Sequence, residues 1–237
     1  MQRFACIAVI FFLLACGSSS LPPEPLTSAE RNVAMLNEAK EQIKTGDIVL
    51  RCGKDMTSYK IREMSEKDKT YSHAGIAVVK PEGVFIYHLT PAELNEPEED
   101  SVIRFERLDE FANPEKNFEF GIARFPLSSE EISKMISHLD SLRLQKVSFD
   151  FLFDLSTKNK MYCSEMIDDC IRFATHDSLN LKRNEFRNPQ LVKKVSSYLK
   201  ADTEVVRLRS YIPIENIYLH PACKMVAQYK FVNELDR

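Results

Sequence analysis

Cys163 is the residue whose type and position best suit nucleophilic chemistry. It lies where a polar turn leads into a segment with apolar residues at helical spacing, namely Met166, Ile167, Cys170, Ile171 and Ala174. A cysteine in the first turn of a helix has its thiolate stabilised by unpaired backbone N–H groups and by the helix dipole, which lowers the pKa of the thiol. This position therefore predicts a reactive thiol near neutral pH. A buried and inert Cys163 is the alternative, because free cysteine is among the most buried residue types.

Two histidines are candidates to act on this thiol. A thiol nucleophile needs a base, and imidazole titrates near neutral pH. His73 lies near the start of a predicted strand over residues 71–79, and His88 lies near the end of the next strand, over residues 84–89. Antiparallel pairing of the two strands brings both rings to one end of a hairpin. We predict that His73 is the base and that His88 fixes its tautomer, although either ring can instead be a structural core residue.

A metal site is a further alternative for the same three side chains. His73, His88 and Cys163 carry suitable donor atoms, but their spacing is not that of a tight ligand set and no fourth ligand is obvious. We therefore expect neither a metal nor another cofactor. A further histidine, His138, falls outside the apolar stripe of its predicted helix, so we expect it to face solvent.

The remaining segments predict an α+β domain that positions these residues. Further strands are predicted over residues 46–51, 101–105, 118–125 and 225–232. Helix starts are predicted at Thr27–Glu30 and Ser128–Glu131, which match capping boxes, and at Asn188-Pro189. Together these elements predict an antiparallel sheet, or a partial barrel, packed against helices, one of which carries Cys163.

The first residues of the chain predict export. A short positive start is followed by an apolar run, Phe4–Ala15, that is too short to span a bilayer. The run ends in Leu13-Leu14-Ala15-Cys16, which is similar to a bacterial lipobox, whose cysteine becomes the lipidated first residue of the mature protein. An ordinary signal peptide with an incidental cysteine is the alternative. The predicted organisation is a signal peptide over residues 1–16, a Ser- and Pro-rich tether over residues 17–26 and one domain over residues 27–237.

Location and partners follow from the same features. A lipidated Cys16 anchors the protein to a membrane without spanning it. Gly17, rather than aspartate, follows Cys16, so by the sorting rule of bacterial lipoproteins we expect the outer membrane. The formal net charge is only -3, with 32 basic and 35 acidic residues. Nucleic-acid binding usually needs a marked basic excess, so we expect no nucleic-acid partner.

Four segments occur in an order that resembles a known family. They are Gly46–Arg51, Tyr71–Ile76, Phe149-Asp150 and Tyr162–Glu165. Together they are similar to the YiiX/YebB-like cysteine hydrolases, a circularly permuted branch of the NlpC-type papain-like superfamily in which histidine precedes cysteine in the chain. The resemblance implies a permuted papain-like fold with Cys163 as nucleophile, His73 as base and His88 in the third polar position. Where YiiX-like members are expected to carry glutamate, this chain has His88, as NlpC-type amidases and lecithin:retinol acyltransferase relatives do.

The resemblance also implies roles for neighbouring residues. The backbone N–H of Cys163 is a candidate donor to an oxyanion. Tyr162 and Ser164 are candidates to donate to the oxyanion or to line the substrate site, with packing as the alternative for Tyr162. Asp47, Asp150 and Glu165 are expected near the site in structural roles, as acceptors for backbone and turns.

The expected function is that of a cysteine peptidase or amidase acting through a Cys-His-His site. Residence on the wall side of a membrane favours amide bonds of cell-wall, peptidoglycan-derived peptides as substrate. The histidine at position 88 and the predicted lipid anchor leave open a lipid-directed acyltransferase or deacylase. A catalytically silent module that binds peptides in its cleft is the alternative outside the enzyme class.

Overall fold

A computed structural model describes residues 26–91, 102–157 and 159–232. The predicted signal peptide, the lipobox and most of the tether lie outside the described residues. The strands of the main sheet are β1 (Ile48–Gly53), β2 (His73–Lys80), β3 (Gly83–Leu89), β4 (Ile103–Arg107), β5 (Asn117–Arg124) and β10 (Lys224–Lys230). These strands form one antiparallel sheet in the order β10-β5-β1-β2-β3-β4. Short two-stranded sheets join β6 (Ser148–Phe149) to β7 (Lys160–Met161) and β8 (Asn184–Glu185) to β9 (Ser210–Tyr211).

Helices precede these strands and lie between them. They are α1 (Ser28–Gln42), α2 (Met56–Arg62), α3 (Leu108–Phe111), α4 (Ser129–Leu144), α5 (Cys163–Thr175), α6 (Pro189–Leu199), α7 (Thr203–Arg207) and α8 (Glu215–Tyr218). The predicted capping boxes are confirmed: Thr27 and Glu30 cap α1, and Ser128 and Glu131 cap α4. None of the helices in the described part of the chain is long and apolar enough to cross a membrane.

The main sheet separates two apolar cores. Successive residues of a strand point to opposite faces, so each strand contributes to both cores. On one face Ala74 and Ile76 belong to the same cluster as α4 and α5, including Leu139 and Cys163. On the other face Ala77 and Ile86 pack in a cluster with Leu36 of α1 and Phe111 of α3. The predicted α+β class is confirmed, with the helix that carries Cys163 packed against the centre of the sheet.

His138 is partly buried against α5, so the prediction that it faces solvent is wrong. It is not solvent-facing: its side chain is 19% exposed, and its Nε2 lies 2.7 Å from Asp169 Oδ2 on α5. Its ring also stacks on Phe173, with centroids 4.1 Å apart. The apolar stripe of α4 alone did not indicate this contact, because it depends on how α4 packs against α5.

Candidate active site

The β2–β3 hairpin brings the two predicted site histidines together. His73 is the first residue of β2, and His88 is the last but one residue of β3. His73 Nε2 and His88 Nδ1 are 2.9 Å apart, a hydrogen-bond distance. Both rings are buried and both pack against Phe111 of α3, with centroids 5.7 and 5.0 Å away. The predicted proximity of the two imidazoles is confirmed.

Gly75 makes this arrangement sterically possible. A Cβ atom built at Gly75 lies 2.5 Å from Ile86 Cγ2, 2.6 Å from the Tyr87 carbonyl oxygen and 2.9 Å from His88 Cβ. One of these neighbours is backbone, so the contacts cannot be relieved by a side-chain rotation alone. The absence of a side chain at Gly75 therefore lets His88 lie close to β2.

Gly75→Ala is expected to destabilise the protein and displace His88. Forcing a methyl group into this contact is an overpacking change, and we expect a loss of about 1–3 kcal/mol in the free energy of unfolding. Urea unfolding measures it. Val79→Ala, on the same strand but 44% exposed, is the matched control and is expected to change stability far less. A Gly75→Ala variant as stable as the native chain contradicts the steric role.

Cys163 lies at the same end of β2. It is the first residue of α5, as predicted, and its sulfur accepts a hydrogen bond from the backbone N–H of Ala74. That N–H belongs to the peptide that joins His73 to Ala74, so the sulfur lies against the backbone of the histidine. The N–H groups of Cys163 and Ser164 are also directed at the sulfur. The structure thus brings the thiol and the histidine pair to one peptide of β2.

The thiol and the imidazoles reach this peptide from different sides of the sheet. Cys163 belongs to the core on the α5 face, whereas the rings of His73 and His88 contact Phe111, which belongs to the core on the α3 face. Because His73 is the first residue of β2, the end of the strand lies beside it, and a side chain from one face of the sheet can approach a side chain from the other face there.

Burial controls the protonation of the thiol. Cys163 is 2% exposed, and burial raises its pKa from 9.0 to about 11, although the N–H groups and the Arg51 guanidinium act in the opposite direction. The expectation of a thiol activated by the helix start is therefore wrong in direction, because desolvation outweighs the helix end. Burial, the Arg51 charge and His88 hold the pKa of His73 well below 6.5. At neutral pH the resting pair is a neutral thiol and a neutral imidazole.

These pKa values predict the pH dependence of Cys163 alkylation. Because the thiolate is the reactive form, the rate of iodoacetamide labelling at Cys163 is expected to rise about tenfold per pH unit from pH 7 and to level off only near pH 11. Mass spectrometry of the labelled peptide at each pH measures the rate. A plateau reached below pH 8 contradicts the neutral resting pair and indicates a preformed thiolate–imidazolium pair.

Two charged residues of the site were missed by sequence reasoning. Glu106 Oε2 on β4 lies 3.2 Å from His88 Nε2. Arg51 pairs with His73 across β1 and β2, and its Nη1 donates to the Phe111 carbonyl oxygen at 3.1 Å. The signal for both residues is the strand register, which the sequence does not specify. The predicted strand over residues 101–105 also ended before Glu106.

Tyr162 and Ser164 hold the segment that crosses the start of α5. The Tyr162 hydroxyl accepts from the Ile212 N–H at 2.8 Å, and the Ser164 hydroxyl donates to the Ile212 carbonyl oxygen at 2.6 Å. Both side chains are 1% exposed. These contacts give both side chains packing and tethering partners, and their expected oxyanion or substrate-lining roles stay predictions.

Among the predicted structural acids, Asp47 lies far from the site. It accepts from the Lys44 N–H and forms two contacts of 2.6 and 2.7 Å with Arg124, so it braces a turn as expected. However, it precedes β1 by one residue and lies roughly 13 Å along the strand from Arg51, four residues at about 3.3 Å each. Its expected position near the site is therefore wrong.

Asp150 and Glu165 lie close to the start of α5. Asp150 accepts from the N–H groups of Leu152 and Asp154, which orders the turn that leads toward Cys163. Glu165 accepts from the Tyr162 N–H at 3.4 Å. Burial, reinforced by the Asp150 charge, raises the pKa of Glu165 to about 8, so its carboxyl is largely protonated at neutral pH.

The remaining cysteines and acids form no candidate metal site in the described ranges. Cys52, Cys163, Cys170 and Cys223 are all present as free thiols. Within residues 26–91, 102–157 and 159–232, no group of three or more His, Cys, Asp or Glu side chains is arranged to hold a metal ion. The expectation that the protein uses no metal stays a prediction.

Comparisons with known proteins identify the family of the chain. The sequence profile of the C92 family, described as permuted papain-like amidase enzymes of the YaeF/YiiX type, matches residues 42–217. The chain belongs to this family. That match spans β1, the histidine hairpin and the Cys163 helix, and it ends within α8. No curated protein sequence matches the chain.

A solved structure shows the same fold. The crystal structure of the metalloprotein YiiX from Escherichia coli O157:H7 has a TM-score of 0.62 with 17% sequence identity, and the match covers 80% of this chain and 99% of that one. At this identity the likeness concerns the fold. The predicted permuted papain-like fold is confirmed, and membership of the amidase family supports a cysteine hydrolase in general.

Proposed function

We propose that this protein is a cysteine amidase that hydrolyses amide bonds through Cys163, His73 and His88. The observation that carries the proposal is the meeting of the Cys163 sulfur with the peptide of His73, whose ring is in turn paired with His88. The His73–His88 bond uses Nε2 of His73, so Nδ1 is the nitrogen that remains to act on the thiol. Family membership supports the same reaction class.

The proposed reaction is an acyl transfer in two stages. His73 Nδ1 accepts the thiol proton as the Cys163 sulfur attacks the carbonyl carbon, because neither group is charged at rest. The N–H groups at the start of α5 donate to the oxyanion. The C–N bond then breaks, and the amine leaves with the proton from His73. Water, deprotonated by His73, hydrolyses the thioester and regenerates the thiol.

The proposed substrates are amides of cell-wall peptides. The predicted export signal supports this choice, since it delivers the domain to the compartment that contains such peptides. Incubation with peptidoglycan fragments and, separately, with phospholipid vesicles, followed by mass spectrometry, tests it. Release of amine or peptide fragments by the native chain but not by Cys163→Ser supports the amidase. Cysteine-dependent release of fatty acid or acyl transfer between lipids favours the acyltransferase or deacylase alternative, and no turnover of either favours the binding module.

We further propose that Cys16 carries a lipid anchor that holds the domain at the outer membrane. Expression of the full chain in bacteria with labelled palmitate tests this. The native chain is expected to incorporate label and to sediment with outer-membrane fractions, whereas Cys16→Ser loses the label. Cys6→Ser, within the same apolar run, is the matched control and is expected to keep it. Equal labelling of Cys16→Ser and the native chain contradicts the anchor.

A further inference from the structure

Glu106 extends the pair of imidazoles to a third ionisable group. It lies on β4, and its Oε2 is 3.2 Å from His88 Nε2, the nitrogen that His73 does not use. His88 is 1% exposed, whereas the Glu106 side chain is 26% exposed and lies toward solvent. The contact with His88 is the first cause of a lowered pKa at Glu106, so its carboxyl is ionised at neutral pH.

In the part of the chain that the structure describes, the buried Nε2 of His88 lacks a hydrogen-bond acceptor that the Glu106 carboxylate could provide. The Nε2 of His88 is buried, and within the described ranges it has no well-aligned hydrogen-bond acceptor, although Glu106 is within contact distance. A buried N–H without an acceptor is costly, and a rotation of the Glu106 carboxylate relieves this cost. Arg51 and Arg104 also face this cluster, but guanidinium groups only donate hydrogen bonds.

The position of a single proton on His88 decides what His73 can do. If Nε2 of His88 carries the proton and donates to Glu106, then Nδ1 of His88 accepts from the Nε2–H of His73. In that state Nδ1 of His73 has a lone pair and can accept the proton of Cys163. In the opposite tautomer Nδ1 of His88 donates to Nε2 of His73, so Nδ1 of His73 carries a proton and cannot act as the base.

We propose that Glu106 is a positioning residue that selects, through His88, the tautomer in which His73 Nδ1 is unprotonated. This inference rests on the proposed function, because it takes His73 as the base for Cys163. It adds a fourth side chain to the Cys-His-His set and assigns the role to a residue on a different strand. The neutral state of both rings at pH 7 makes the tautomer, rather than the charge, the property under selection.

The experiment compares an acceptor with a non-acceptor at position 106. Glu106→Gln keeps an oxygen that can accept from His88, whereas Glu106→Met has similar length and no such oxygen. Long-range ¹H–¹⁵N spectra of ¹⁵N-histidine-labelled protein at pH 7 report which nitrogen of each ring is protonated. The two site rings are assigned by loss of their signals in His73→Gln and His88→Gln.

In the native chain and in Glu106→Gln both rings are expected to be protonated at Nε2, and in Glu106→Met both are expected at Nδ1. The rate of acetyl transfer from p-nitrophenyl acetate to Cys163 is expected to fall about tenfold or more in Glu106→Met and less than about threefold in Glu106→Gln, since a wrong tautomer disables the base. Glu115→Gln, an exposed glutamate outside the site, is the control expected to match the native chain. If Glu106→Met does not fold, Glu106→Leu makes the same comparison.

Unchanged tautomers in Glu106→Met overturn the inference, whatever happens to the rate. Nδ1 protonation in Glu106→Gln, or an equal loss of rate in both variants, overturns it as well. The spectra separate this failure from failure of the proposed function. A native chain that is not acetylated at Cys163 refutes the proposed nucleophile, while the ring tautomers still report on Glu106.

Discussion

Replacing Cys163 by serine is expected to abolish amide hydrolysis, with a fall in kcat of at least about 10³-fold. A hydroxyl is far less acidic than a thiol, and His73 as a neutral base cannot activate it comparably; removing the nucleophile of a hydrolase typically costs this much or more. The measurement is turnover of the substrate found in the peptidoglycan and lipid screen. Because the change replaces one atom by a smaller one, the fold is expected to survive, which circular dichroism and urea unfolding check.

Cys223→Ser is the matched control for this change. Cys223 is a free and only partly buried thiol away from the histidine hairpin, so its replacement is expected to leave turnover within about twofold of the native value. Residual activity of Cys163→Ser near the native level contradicts Cys163 as the nucleophile. Equal losses in the two variants indicate a general effect of thiol removal on the fold.

Among substitutions of buried polar residues, Glu215→Ala is expected to cause the largest loss of stability. Its carboxylate is 1% exposed and accepts from three successive backbone N–H groups, those of Glu66, Lys67 and Asp68, at 2.8, 2.7 and 2.6 Å. Hydrogen bonds to a charged group contribute about 1.5–3 kcal/mol each, and the three donors are partly buried. We expect the free energy of unfolding to fall by about 3–5 kcal/mol, measured by urea unfolding at pH 7.

Loss of the Glu215 carboxylate in Glu215→Ala is also expected to affect the active site. The segment that it holds leads directly into β2, which begins at His73, so releasing it loosens the start of that strand. Glu204→Ala is the control, because this glutamate is exposed and forms a surface ion pair with Arg207 at 3.3 Å. A Glu215→Ala variant within about 0.5 kcal/mol of the native stability contradicts the bracing role.

Local signals predicted the elements that carry the site. The Gly-containing turn between two β-rich runs placed His73 and His88 at one end of a hairpin, and the register confirms it. The apolar spacing after Cys163 predicted α5 with its first residue correct. Capping boxes gave the starts of α1 and α4 because their hydrogen bonds join residues only three positions apart.

Local sequence signals did not predict the properties that depend on packing between distant elements. The contact of Glu106 with His88 depends on the register of β3 and β4, and the contact of Asp169 with His138 depends on how α4 meets α5. The pKa of Cys163 was predicted in the wrong direction because the helix end is a local effect, whereas burial by surrounding elements is a tertiary one and is larger here. The contacts of Tyr162 and Ser164 also depend on tertiary packing, because their partner Ile212 lies about fifty residues further along the chain.

Acylation of the Cys163 sulfur by p-nitrophenyl acetate measures directly whether His73 activates that sulfur. Mass spectrometry of the tryptic peptide over residues 161–172, with fragment ions that separate Cys163 from Cys170, locates the acetyl group. We expect a hydroxylamine-sensitive acetyl thioester on Cys163 in the native chain and its loss in His73→Gln. Acetylation of Cys163 at the same rate in both proteins, or of Cys170 alone, contradicts activation of Cys163 by His73.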